Sequence, residues 1–210
     1  MIDLYTFTTP NGYKASIMLE ELEVPYRLHK VDISKGDQYK PDFLHISPNN
    51  KIPALVDNDG PGGEPISVFE SGAILIYLAD KYGKLLSKDT AQRFNTLKWL
   101  FWQVGSVGPM FGQMGHFVRF AKEDIPYAKE RYTKETERLL GVLERQLGAT
   151  GGWLAGAEMT IADIATAPWV GALEFYGKGE LLDAYPRTTG WLETFKARPG
   201  VQRGMNISFE

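Results

Sequence analysis

The sequence predicts an α/β N-terminal part followed by an all-α C-terminal part, in a chain of 210 residues. Three observations carry that expectation. Before Lys81, short alternating or apolar runs bounded by Pro, Gly and Asn are interleaved with helical patterns. A polar connector, Lys81-Tyr82-Gly83-Lys84-Leu85-Leu86-Ser87-Lys88-Asp89, then changes the character of the chain. Beyond it apolar residues recur at helical spacing, beginning with Phe94, Leu97, Phe101 and Val104. The expected domains are residues 1–86 and 90–210, a size compatible with one or two cores.

Ile2-Asp3-Leu4-Tyr5-Thr6-Phe7 alternates and carries aromatics, so it reads as a strand. Thr8-Thr9-Pro10-Asn11-Gly12 opens a helix, with Thr9 as its N-cap and Pro10 at the first helical position. That helix runs through Ile17, Met18 and Leu22 and stops before Pro25. Tyr26 to Val31 alternates as a second strand. Gly36 to Pro41 is a loop leading to a short helical piece around Phe43-Leu44. Ala54-Leu55-Val56 is a short apolar run, followed by the turn formers Asn58-Asp59-Gly60-Pro61-Gly62-Gly63 and a second run, Ile66-Ser67-Val68-Phe69. This is an antiparallel hairpin. Glu70-Ser71 then falls at a helix N-terminus, where the first N–H groups lack helical partners and the dipole favours anions. An acid and a hydroxyl there suit capping, and equally suit the ammonium and carboxylate of an amino acid. The order β-α-β-α-β-β-α, with Pro53 entering the third strand, is the thioredoxin-like layout.

In the helical part, Gly105 and Gly108-Pro109 are expected to kink or break the first helix. Pro126 starts a long helix with Leu139, Leu140, Leu143 and Leu147 as its buried stripe. Ala149-Thr150-Gly151-Gly152 ends it. Thr160-Ile161-Ala162-Asp163 resembles a capping box and reads as structural. Tyr185-Pro186 leads into a helix bearing Trp191 and Phe195, and Ala197-Arg198-Pro199-Gly200-Val201 closes the chain.

Composition excludes several functions. Net charge is −3, with 8 Lys/Arg against 12 Asp/Glu up to residue 86 and 15 against 14 beyond it. No basic face for nucleic acid is indicated. No apolar run is long enough for a membrane span and no signal peptide opens the chain, so a cytoplasmic location is expected. There is no cysteine, which removes disulfides, thiolate metal sites and a nucleophilic protein thiol. The three histidines, His29, His45 and His116, are too scattered to suggest a metal site.

Asn50-Lys51-Ile52-Pro53-Ala54-Leu55, followed by Glu70-Ser71-Gly72-Ala73-Ile74, resembles the glutathione-binding half of the soluble glutathione transferases. The resemblance extends over essentially the whole chain. With Thr9-Pro10-Asn11-Gly12, Trp99-Leu100-Phe101-Trp102-Gln103-Val104-Gly105, Ile125-Pro126-Tyr127 and Glu130-Arg131-Tyr132, it is most similar to the bacterial nu class. The resemblance implies the soluble glutathione transferase fold, a homodimer, and glutathione as cosubstrate with no metal. It implies a cis bond before Pro53, with the backbone of Ile52 pairing with the cysteinyl unit. Glu70 and Ser71 would hold the γ-glutamyl head, Gln38 and Lys51 would meet the glycyl end, and Arg131 would reach a second glutathione or an acidic substrate. The sulfur-facing group at the start of the first helix is left among Thr8, Thr9 and Asn11. Tyr5, in the strand, reads as core.

A thiol with a pKa of about 8.5 is mostly protonated at neutral pH, while the thiolate is the nucleophile. Each unit of lowering needs about 1.4 kcal/mol of selective thiolate stabilisation. Two charge-assisted hydrogen bonds supply about one or two units. Asparagine is not a base, so Asn11 would stabilise a thiolate rather than abstract its proton. The expected activity is glutathione-dependent disulfide reduction on a small-molecule disulfide. The alternatives are conjugation of glutathione to small electrophiles, peroxide reduction, or a non-catalytic glutathione-binding regulator on the same fold.

Overall fold

A computed structural model describes residues 1–209. The chain divides into two compact units, Met1–Lys84 together with residues 198–209, and Leu85–Ala197. In the first, β1 (Ile2–Thr6), β2 (Tyr26–Lys30), β3 (Ala54–Asp57) and β4 (Ile66–Phe69) form one mixed sheet in the order β2-β1-β3-β4. β1 and β2 are parallel, while β3 is antiparallel to both β1 and β4. Three helices alternate with these strands: α1 (Pro10–Leu22), α2 (Pro41–Ile46) and α3 (Ser71–Tyr82). This is the thioredoxin-like arrangement, and the Ile52–Pro53 bond is cis.

Alternation along β1 sends Ile2, Leu4 and Thr6 into a fully buried layer. On the other face Tyr5 packs with Ile46 and Ile52 against Val31, Phe43 and Ala54. Asp3 is buried too, and is accommodated by Arg27, His29 and Asn58, which all donate to its carboxylate. Burial pushes that carboxyl up, but the three partners outweigh it and hold it at about 2.

The last helix, α9 (Pro199–Met205), belongs to this unit although it closes the chain. A Cβ on Gly204 would lie 2.5 Å from Ile17 Cα, so only glycine allows α9 to sit this close to α1. Ser16 Oγ donates to Gly204 O at 2.6 Å, and Glu20 and Glu21 of α1 pair with Arg203 and Arg198.

The second unit is helical: α4 (Thr90–Trp102), α5 (Gly108–Gly115), α6 (Pro126–Thr150), α7 (Ile161–Phe175) and α8 (Pro186–Lys196). Gly105 and Gly108-Pro109 do not break the first helix. A π-type turn at Gln103–Val107 joins α4 to α5, with helical dihedrals at Trp102, Gln103, Val107 and Gly108. Pro109 has no N–H and its ring crowds the carbonyl four residues back; one wider turn absorbs both defects without ending the helix. The apolar spacing in α4 marks a helix but not its buried face, since Phe94 and Phe101 are exposed and Thr96 and Leu100 are buried. In α6, by contrast, Leu139, Leu140, Leu143 and Leu147 are all buried.

Asp163 organises the junction between α7, α8 and the turn before α7. It is completely buried, and its carboxylate accepts from Leu154 N (2.9 Å), Thr160 N (2.9 Å), Thr160 Oγ1 (3.2 Å) and Trp191 Nε1 (3.0 Å). Burial raises this carboxyl, and the four donors pull against it. Among the described residues no helix is long and apolar enough to cross a membrane.

Candidate functional site

Strand register brings the marked loops to one end of the sheet. His29, Tyr5, Ala54 and Phe69 form a single rung across β2, β1, β3 and β4. One residue beyond this rung β1 ends and leads into Thr8, Thr9 and Asn11. Immediately before it on β3 stand Ile52 and Pro53, and immediately after it on β4 stand Glu70 and Ser71. β2 runs parallel to β1, so the loop and short 3-10 turn carrying Gln38 leave from the same end.

At the start of α1, Thr9 caps the helix as expected: its Oγ1 accepts from Gly12 N at 3.1 Å, with Pro10 at the first position. An accepting hydroxyl keeps its own proton to donate elsewhere. Thr8 is exposed and Asn11 is half-buried. Gly12 is obligatory here, because a Cβ would lie 2.0 Å from Phe7 O and 2.6 Å from Thr6 Oγ1. The turn that aims Thr9 and Asn11 is therefore folded tightly back onto the end of β1.

Ser47, fully buried, shapes the loop before the cis proline by donating to Lys51 O at 2.9 Å and accepting Asn50 N on its carbonyl. Ile52 lies outside the ladder, which begins at Ala54, and Lys51 is exposed. Gln38 donates weakly to Ile33 O at 3.4 Å, and its buried Oε1 has no partner among the described residues.

Glu70 occupies the N-cap position of α3 without capping it by its side chain. Its φ of 70° places a non-glycine residue in the left-handed region, a strain of about 1–3 kcal/mol. The exposed carboxylate takes only a long bond, 3.4 Å, from Asn49 Nδ2. The first amides of α3 are thus left uncovered by Glu70, and an acid stands beside them. That is the pairing an α-ammonium and an α-carboxylate require.

Lys14 escaped sequence reading. It is 2% exposed, and its Nζ lies 3.3 Å from Ser71 Oγ. Burial pulls its ammonium down to about 7, and the charge of Glu70 acts in the opposite direction. The available signal was a lysine on the apolar stripe of α1, three and four residues before Ile17 and Met18. Tyr5 is packed in the sheet and stacked on His29 with ring centroids 4.5 Å apart, as its strand position implied.

Arg131 lies on α6 in the second unit. There it lines an open groove of about 630 Å³ with Met110, Tyr127, Glu130, Tyr132 and Arg138. Glu130 pairs with Lys134 and Glu135 pairs with Arg138, whereas Arg131 has no ion-pair partner among the described residues. Among those residues no group of three His, Asp or Glu converges as a metal site.

Residues 1–80 match the model of the glutathione S-transferase N-terminal domain, and residues 126–194 that of the C-terminal domain. The chain is 52% identical over 207 residues to the disulfide-bond oxidoreductase YfcG of Escherichia coli, covering 98% of this chain and 94% of that protein. A glutathione transferase family member from Pseudomonas fluorescens, solved with two glutathione bound, superposes with a TM-score of 0.95 at 51% identity. The match covers 99% of this chain and 93% of the other. A glutathione transferase from Pseudomonas putida, solved with one glutathione disulfide per subunit, gives 0.95 at 48% identity over 99% and 92% of the two chains. Together with the thioredoxin-like sheet, the cis proline and the helical second unit, these matches show that the chain belongs to the glutathione S-transferase family.

Proposed function

We propose that this protein is a glutathione-dependent disulfide-bond oxidoreductase that works without any thiol of its own. The observation that carries the reading is the convergence of Thr9-Asn11, Ile52-Pro53 and Glu70-Ser71 on one end of the sheet in a chain with no cysteine. From β1 to β4 is two interstrand spacings, roughly 10 Å, which is also about the length of an extended tripeptide. In this reading Glu70 and Ser71 hold the γ-glutamyl group and the Ile52 backbone pairs with the cysteinyl unit. Gln38 and Lys51 meet the glycyl carboxylate, and Thr8, Thr9 or Asn11 faces the sulfur.

The redox balance requires two glutathiones. One thiolate attacks the disulfide and releases a thiolate, and a second glutathione thiolate resolves the mixed disulfide, giving oxidised glutathione and the reduced substrate. The chain's task is to keep the attacking sulfur ionised and aligned. The Thr9 hydroxyl proton, the Asn11 amide and the N-terminal end of α1 can each stabilise negative charge there. Arg131 is assigned to the second glutathione or to an acidic substrate. The relatives support the use of two glutathione units, because their structures hold two glutathiones in one case and glutathione disulfide in another.

The reading includes a homodimer and a cytoplasmic location. Phe94 and Phe101, one heptad apart on α4, are 65% and 63% exposed and offer an apolar face for a second copy. A reductant of this kind works where glutathione is kept reduced.

Steady-state rates test the activity. A model mixed disulfide should turn over well, and a chlorinated aromatic electrophile poorly; the reverse order would overturn the assignment in favour of conjugation. Asn11→Ala should slow disulfide reduction by about tenfold to a hundredfold with little change in glutathione affinity, the loss of a hydrogen bond worth ~1.5–3 kcal/mol. Full activity in that variant would move the sulfur-facing role to Thr8 or Thr9. Glu70→Ala should instead weaken glutathione binding by about 2–3 kcal/mol in titration calorimetry, the fold remaining intact. Unchanged affinity would remove Glu70 from the site.

A further inference from the structure

We propose that Lys14 is a positioning residue for the α-carboxylate of the γ-glutamyl group, acting through Ser71 and switching its hydrogen-bond polarity. The inference rests on the reading of Glu70-Ser71 as the γ-glutamyl pocket. An ammonium can only donate, so a charged Lys14 at 3.3 Å occupies a lone pair of Ser71 Oγ. The Ser71 proton is then directed outward, where a bound carboxylate accepts it beside the first amides of α3. A neutral Lys14 has a lone pair of its own. The Ser71 hydroxyl then turns inward to donate to it and presents oxygen lone pairs to the carboxylate, which repel it.

The geometry makes this a switch and not a fixed cap. Lys14 stands on the buried face of α1, and α3 and α9 both pack against that helix. Several charged groups on or beside those helices pair elsewhere. At the start of α9 and on it, Arg198 and Arg203 pair with Glu21 and Glu20, at the far end of α1. On α3, Tyr77 and Lys81 bond Asp57. In β1, Asp3 is held by Arg27, His29 and Asn58. Glu70 is a charge that acts on Lys14, and glutathione binding sets an ammonium against that same Glu70 and a carboxylate against Ser71. With burial holding Lys14 near 7, its protonation state is open to change when the carboxylate arrives.

Two consequences have opposite signs. The folded protein binds fewer protons than the unfolded chain between about pH 7 and the ordinary lysine range, so stability without ligand rises with pH there. Ligand affinity falls over the same interval, because the ammonium form is the one that binds. A lysine with a purely structural role would give the first effect without the second.

The test uses S-methylglutathione, whose blocked thiol removes sulfur titration, in calorimetry on the full chain from about pH 6.5 to 8.5. Wild-type affinity is expected to fall about tenfold across that range, with uptake of a proton on binding that is read from buffers of different ionisation enthalpy. Lys14→Met should bind about tenfold more weakly at pH 6.5, with a flatter profile and less proton uptake. A wild-type profile without a fall, or a Lys14→Met profile as steep as wild type, overturns the inference while leaving the pocket intact. Absence of binding at every pH overturns the glutathione reading, and this inference with it. The wild-type profile and proton count decide the matter even if Lys14→Met fails to fold.

Discussion

Replacing Asp163 with alanine is expected to cost about 3–5 kcal/mol of folding stability, because three N–H donors, two of them in fully buried bonds, lose their acceptor together. Leu154 N, Thr160 N and Trp191 Nε1 come from the turn before α7, its N-cap and α8, so one carboxylate ties three segments of the helical unit. Asp163→Asn should recover only part of the loss. Each carboxylate oxygen accepts at least one N–H, and an amide nitrogen in either place would face a donor. Urea unfolding of both variants measures this. A loss below about 1 kcal/mol for the alanine variant would show that the three donors find other partners.

The second large effect is expected at Gly12. By helix propensity alone, glycine to alanine inside a helix gains about 1 kcal/mol. Here the sign should reverse, with a loss of about 3 kcal/mol or more, because the new methyl would stand 2.0 Å from the Phe7 carbonyl. The clash is with backbone at the end of β1, which cannot rotate away as a side chain does. Relief requires α1 to back away from the strand, carrying Thr9 and Asn11 with it. Disulfide reduction should therefore fall even in the folded fraction. Thermal unfolding combined with rates per folded molecule separates the two losses, and a variant as stable and active as wild type would overturn the account.

Much of the fold was legible because its signals are local. Thr9-Pro10 at the start of α1, the turn formers between β3 and β4, and Thr160 with Asp163 are each written within a few neighbouring residues, and each forms as read. The helix start at Glu70-Ser71 was legible for the same reason, whereas the cis bond at Pro53 was legible only through the family resemblance. What stayed hidden depends on distant chain. Lys14 reads as an ordinary helix charge until α3 and α9 close over α1. The affiliation of α9 rests on Gly204 fitting against Ile17, a contact across most of the sequence. Phe94 and Phe101 show the opposite failure, since helical spacing gives a periodicity without saying which side is covered. At Gln103–Val107 the break named beside a kink does not occur, because a π-type turn lets a helix pass a proline that would otherwise end it.

The positive φ at Glu70 has a consequence for anyone engineering this scaffold. A backbone left to its own preference would place glycine at this position, at no conformational penalty in the native state. Heat selection in directed evolution rewards that relaxation, and it offers the library no reason to retain the carboxylate. The position therefore sets durability against ligand capture within a single codon. Screens that score melting temperature alone will drift away from the anchor, so glutathione retention has to be scored in the same round.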